Sequence, residues 1–261
     1  MALTISLGQM DVTLGQPEKN LAVVADMTAE AARRGSDLVV FPELWSTGYD
    51  LENAERHAAA IGEGIFAQTA RLAQQHHIHM LGSCLSRLPT GGYGNTAVWF
   101  TPTGAAGGVY SKAHLFRLMQ EEQFLTAGRE RAVVQTPWGP AGLTICYDLR
   151  FPELFRAYAL AGAKMVFVPS EWPHPRLMHW QTLLRARAIE NQMFVIACNR
   201  VGVSKETHFF GHSMIIDPWG ETVVSGREEP TLLTATIDPA LVESVRAKIP
   251  VFADRRPDLY T

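Results

Sequence analysis

Cysteine is scarce in this chain of 261 residues: Cys84, Cys146 and Cys198 are the whole complement, and no two stand at CxxC spacing. That argues against a zinc ribbon and a CxxC redox pair, and a small odd number suits free thiols in a reducing compartment. Long apolar runs are missing as well, since no stretch reaches the roughly 20 residues that cross a bilayer. The opening MALTISLGQMDV lacks the basic segment of a targeting peptide and alternates like a first strand. The simplest location on these grounds is the cytoplasm. Nor is there an excess of positive charge. The 23 Lys and Arg residues face 26 Asp and Glu, a formal net charge of -3, which lowers the case for a broad nucleic-acid surface. No linker or low-complexity tract interrupts residues 1–261, which read as one domain.

What is present is apolar material, 47% of the residues, in a regular order of strand-like and helix-like segments. Residues 20–34 carry Leu21, Val24, Met27 and Ala31 at helical spacing, and DLVVFPE at 37–43 reads as a buried strand ending in a carboxylate. Helix 63–76 follows, then a strand from Met80 and a glycine-marked hairpin into NTAVWF. Further strands are expected at 141–147, 164–170, 192–199, 212–218 and 231–237, with helices at 152–161, 176–191 and 240–248. This order predicts an α/β fold with a mixed sheet. FPELW at 41–45 and FPELF at 151–155 look alike without a fixed period around them, and predict two similar strand-exit environments.

Three residues stand out chemically. Cys146 ends the apolar strand GLTIC just before a helix, whereas Cys84 and Cys198 lie inside apolar runs as small buried hydrophobes. Strand ends in α/β folds are common ligand positions. Glu43 follows four apolar residues and a proline, and Lys112 lies just past a short alternating strand. Each alone has an ordinary reading: a third structural thiol, a salt-bridged carboxylate, a surface ammonium. Together they could make a nucleophile, its base and an oxyanion partner. Their spacing in sequence does not show that they meet.

FPELWSTGY at 41–49, KAHLF at 112–116, LTICYDLRFPELFR at 143–156 and RARAIENQMFVIACNRVG at 185–202 occur in one order, with the tail DRRPDLY behind them. In these motifs the chain resembles the nitrilase superfamily of carbon–nitrogen hydrolases. The resemblance implies a four-layer αββα sandwich, with Glu43 as general base, Lys112 as oxyanion stabiliser, Cys146 as nucleophile and the Tyr147 backbone N–H as second oxyanion donor. It also implies a further glutamate in the loop after the lysine. Glu121 matches that position best, with Glu122 beside it.

HLFRLMQEEQFLTAG at 114–128 and PSEWPHPRLMHWQTLLRARAIENQ at 169–192 are similar to bacterial omega-amidases, which act on 2-oxoglutaramate and 2-oxosuccinamate. A substrate with a carboxylate at its far end calls for a cation, for which Arg176 is the candidate, and Trp172 could wall the apolar part of a pocket. An ion pair and a core aromatic are their ordinary alternatives. His174 and His179 make no compelling metal set, and thiol amide hydrolysis requires neither metal nor cofactor. The resemblance further implies a homodimer, with a small-molecule amide and water as the reaction partners. An N-carbamoyl amino acid hydrolase, an aliphatic amidase or a nitrilase of the same superfamily stays open, as does a non-catalytic interaction protein on the same scaffold.

Overall fold

The computed structural model describes residues 1–260. The first half contributes strands β1 (Leu3–Gln9), β2 (Leu38–Val40), β3 (His79–Arg87), β4 (Tyr93–Phe100) and β5 (Ala106–Ser111). Beyond them come β6 (Ala132–Thr136), β7 (Gly139–Leu143), β8 (Met165–Ser170), β9 (Phe194–Asn199), β10 (Val201–Ser204) and β11 (Thr207–Phe210). Strands β12 (Met214–Ile216), β13 (Thr222–Ser225) and β14 (Thr231–Ile237) close the series. The helices are α1 (Pro17–Arg33), α2 (Ala54–His57), α3 (Gly64–His76), α4 (Glu121–Phe124), α5 (Pro152–Leu160), α6 (Leu177–Asn191) and α7 (Leu241–Lys248).

Two six-stranded sheets result, ordered β14-β1-β2-β3-β4-β5 and β13-β12-β9-β8-β7-β6, with β10 and β11 paired apart as a hairpin. Within the first sheet β1, β2 and β3 are parallel; within the second β7, β8 and β9 are. Parallel neighbours need a crossover, which α1 and α3 supply on one outer face and α5 and α6 on the other. The period of two along each strand then sorts the side chains. Leu38 and Val40 point to the core between the sheets, with Ile5, Leu81, Leu143, Phe167 and Ile196. Val39 points the other way, joining Met80 and Val98 under Val24, Phe66 and Ala73 of α1 and α3. Helix, sheet, sheet and helix are therefore stacked in four layers. Trp99 of β4 meets Phe167 of β8 edge-on at 5.4 Å, a contact that ties the sheets together.

Several boundaries differ from the sequence reading. The strand expected over 141–147 ends at Leu143, and Cys146 starts a 3-10 turn, Cys146–Arg150, with φ 45°. The strand expected over 37–43 ends at Val40, and the chain turns through Leu44 at φ 42°. The two FPEL segments do not share an environment. FPELW is the turn leaving β2, whereas FPELF opens α5 with Pro152 at its first helical position, where the missing N–H costs nothing.

Candidate active site

Glu43, Lys112 and Cys146 each follow the C-terminal end of a strand: β2, β5 and β7 respectively. The chain is pinned at each exit. Lys112 donates its N–H to the Asn95 carbonyl at 2.8 Å and accepts the Gly128 N–H at 2.8 Å, so the strand end and the loop carrying Glu121 are locked together. Trp45 N–H bonds the Ser83 carbonyl at 3.1 Å and Leu44 N–H bonds Ser83 Oγ at 2.9 Å, holding the turn that carries Glu43. Asp148 holds the thiol turn: its Oδ2 accepts the Ile145 N–H at 2.9 Å and the Tyr110 hydroxyl at 2.7 Å. Its Oδ1 accepts the His114 N–H at 3.1 Å. One carboxylate thereby joins the Cys146 turn to the loop beyond Lys112.

The side chains converge. Lys112 Nζ lies 2.7 Å from Glu43 Oε1 and 2.7 Å from Glu121 Oε1, and all three residues are fully buried. The Tyr49 hydroxyl sits between the same carboxylates, 2.7 Å from Glu121 Oε1 and 3.1 Å from Glu43 Oε1. Glu43 Oε1 also accepts Asn95 Nδ2–H at 2.7 Å, and its Oε2 accepts the Glu171 backbone N–H at 2.9 Å. Glu121 Oε2 is fixed by the Phe116 N–H at 2.7 Å. Of the two adjacent glutamates it is Glu121 that turns inward; Glu122 is exposed.

Protonation follows from this packing. Burial works against the Lys112 ammonium, but the carboxylates of Glu121 and Glu43 outweigh it and hold its pKa above the usual lysine range. Burial raises the Glu121 pKa, with Lys112 opposing and Glu43 adding to the rise. Burial also pushes the Cys146 thiol well above the ordinary range, and the charge and hydrogen bond of Glu43 push it further. Lys112 and the Glu171 N–H pull the other way. A thiol held protonated beside a carboxylate has an acceptor for its proton within reach. Cys84 and Cys198 are buried in the two cores, and burial pushes Cys84 up to about 12; they are inert packing thiols.

Tyr147 is the second residue of its 3-10 turn, so its N–H has no partner inside that turn. Its ring packs on Phe116 at 4.8 Å. Arg176 is half-buried and lines a cavity of about 470 Å³ with Phe116, Pro173, His174 and Thr207. Burial lowers its pKa, as does Arg150, while the Cys146 charge raises it. Trp172 is placed differently from the expected pocket wall. Its ring is buried against Trp180 at 5.5 Å with the Arg150 guanidinium over it at 4.8 Å, and Nε1 donates to the Arg176 carbonyl at 3.2 Å.

Tyr49, Asn95, Asp148 and Glu171 join this network without having been singled out for it in the sequence; Arg200, which its place just beyond a strand marks as a pocket-lining or network residue, joins it through Glu171 at 3.3 Å. Tyr49 closes the motif FPELWSTGY and Asp148 follows Cys146 by two residues, so a polar side chain at fixed distance from the first candidates was the available signal. Asn95 and Glu171 gave none, because the partners that explain them come from other strands.

A family profile described as Carbon-nitrogen hydrolase matches residues 4–247. A 2-oxoglutaramate amidase of Bacillus subtilis is 40% identical over 260 residues, covering 100% of both chains. Another 2-oxoglutaramate amidase, of Paenarthrobacter nicotinovorans, is 35% identical over 99% of this chain and 93% of its own length. Among solved structures, a CN-hydrolase superfamily protein of Xanthomonas campestris, with an arsenic adduct in its active site, superposes with a TM-score of 0.92. It is 34% identical and covers 98% of each chain.

Proposed function

The chain belongs to the carbon–nitrogen hydrolase family and is an amide-hydrolysing enzyme; from this premise we propose that it removes the terminal amide of a small omega-amido α-keto acid, such as 2-oxoglutaramate or 2-oxosuccinamate, through an acyl-enzyme on Cys146. The observation that carries the chemistry is the buried Lys112 ammonium held between Glu43 and Glu121 beside the thiol. The choice of substrate rests on the full-length similarity to the two 2-oxoglutaramate amidases.

In this reading Glu43 takes the Cys146 proton as sulfur bonds to the amide carbon. The Lys112 ammonium and the Tyr147 N–H hold the tetrahedral oxyanion. Glu43 returns the proton to nitrogen, the carbon–nitrogen bond breaks and ammonia leaves. Water then attacks the thioester and gives a proton to Glu43. The carbon–sulfur bond breaks, and that proton restores the Cys146 thiol. Glu121 keeps Lys112 aimed through the whole cycle, which is why the ammonium needs two carboxylates. Arg176 takes the substrate carboxylate, its planar fork suiting two oxygens at once.

Steady-state ammonia release tests this across 2-oxoglutaramate, 2-oxosuccinamate, glutamine, a carbamoyl amino acid and a simple aliphatic amide. The expected result is a strong preference for the two keto acid amides that vanishes in Cys146→Ala. Efficient turnover of another compound, with a flat response to those two, would move the chain to a different branch.

A further inference from the structure

Glu171 is a buried carboxyl that the proposed mechanism leaves idle. It follows β8 directly, and its own N–H anchors Glu43 Oε2 at 2.9 Å, so it stands next to the base. One side-chain oxygen, Oε2, lies 3.3 Å from Arg200 Nη1. The other, Oε1, is buried and has no hydrogen-bond partner. The residue is only 3% exposed, yet it lines a cavity of about 170 Å³ together with Tyr49, Phe124, Met119, Lys205 and Phe209. Gly48 faces it. A Cβ there would stand 3.6 Å from Oε1 and 3.5 Å from Arg200 Nη1, so the bare backbone keeps the space beside the free oxygen open. A buried polar atom without a partner is costly, and the cavity that Glu171 lines has room for a ligand to supply the partner.

We propose that Glu171 is a substrate-positioning residue whose free Oε1 donates a hydrogen bond to an oxygen of the anionic acyl end of the substrate, and whose ionisation disfavours such a ligand. This rests on the reading of the substrate as an anionic amide. The charges around Glu171 come from several elements: Glu43 after β2, Lys112 after β5, Cys146 after β7 and Arg200 after β9. Asp11, just past β1, pairs with the far side of Arg200 at 3.0 Å. Tyr49 flanks the cavity, with Glu52 and Lys205 at its rim. Within this set, burial raises the Glu171 pKa to about 8, Arg200 lowering it and Glu43 raising it. Below that value the carboxyl is a neutral acid with a proton to donate. Above that value it is a second negative charge next to Glu43. Lys112, Tyr49 and Cys146 are all held above their ordinary ranges.

The test alkylates Cys146 with two reagents of nearly equal size, neutral iodoacetamide and anionic iodoacetate, across a range of pH. Taking the ratio of their rates cancels the ionisation of the thiol itself. In the wild-type protein the ratio of amide to acetate rates is expected to rise roughly tenfold between about pH 7 and about pH 9, as repulsion between like charges in a poorly screened site sets in. In Glu171→Gln the ratio should stay flat. A flat ratio in the wild type overturns the proposal even if the variant does not fold, and a Glu171→Gln protein that keeps the wild-type rise overturns it as well. Alkylation needs no turnover. A chain that follows the expected ratios yet releases no ammonia from any keto acid amide keeps the Glu171 assignment and refutes the substrate reading instead.

Discussion

Lys112 is the residue on which the site's charge balance depends. Its ammonium is fully buried and bonded to two carboxylates at 2.7 Å. Lys112→Met keeps the length of the side chain and removes the charge, leaving the buried carboxylates of Glu43 and Glu121 without the cation between them. Breaking a buried ionic cluster in this way costs about 3–5 kcal/mol, and loss of an oxyanion donor lowers kcat on the order of 10² to 10³. Denaturant unfolding and ammonia release on the same preparation check both figures. An unchanged kcat would remove Lys112 from the chemistry. At this scale the sequence was informative where a residue type is unusual for its surroundings, such as a carboxylate behind LVVFP or a thiol ahead of YDLR. It was silent on Glu171 and Asn95, which look ordinary until strands distant in sequence bring Glu43 against both.

The elements matter through their exits. The segment from α4 to Gly128 returns to β5, and the return is tight: a Cβ on Gly128 would lie 2.0 Å from the Ser111 carbonyl oxygen. Backbone cannot yield as a flexible side chain does, so Gly128→Ala must push the segment off the strand end and carry Glu121 away from Lys112. The expectation is a kcat lowered on the order of 10²-fold, since small displacements from reactive geometry are expensive, with circular dichroism close to wild type. Wild-type kcat in Gly128→Ala would show that Glu121 is positioned independently of this loop. Sequence periodicity located the long buried elements well, because α1, α3, β8 and β9 carry an unbroken apolar face or run. It missed β6, the β10–β11 hairpin and β13, which are short and partly exposed, so that no alternation marks them. It also drew β7 too long, because the apolar Ile145 and Cys146 continue the strand pattern past the point where the backbone turns.

For the molecule as a whole, the two sheets bring three strand exits to one place, and burial then does the rest. The order of apolar segments was enough to predict an α/β fold, while the pairing of two sheets into four layers came from the resemblance in motifs. Nothing in local spacing reports which strand ends meet across a sandwich. The central claim is that Cys146 carries the acyl group during amide hydrolysis. The direct measurement is mass spectrometry on enzyme quenched in acid during turnover of 2-oxoglutaramate, with ammonia release followed in parallel. An adduct on the Cys146 peptide equal to the substrate less ammonia is expected, with neither adduct nor ammonia from Cys146→Ala. Ammonia release that survives in Cys146→Ala, or an adduct found on Cys84 or Cys198 instead, would contradict it.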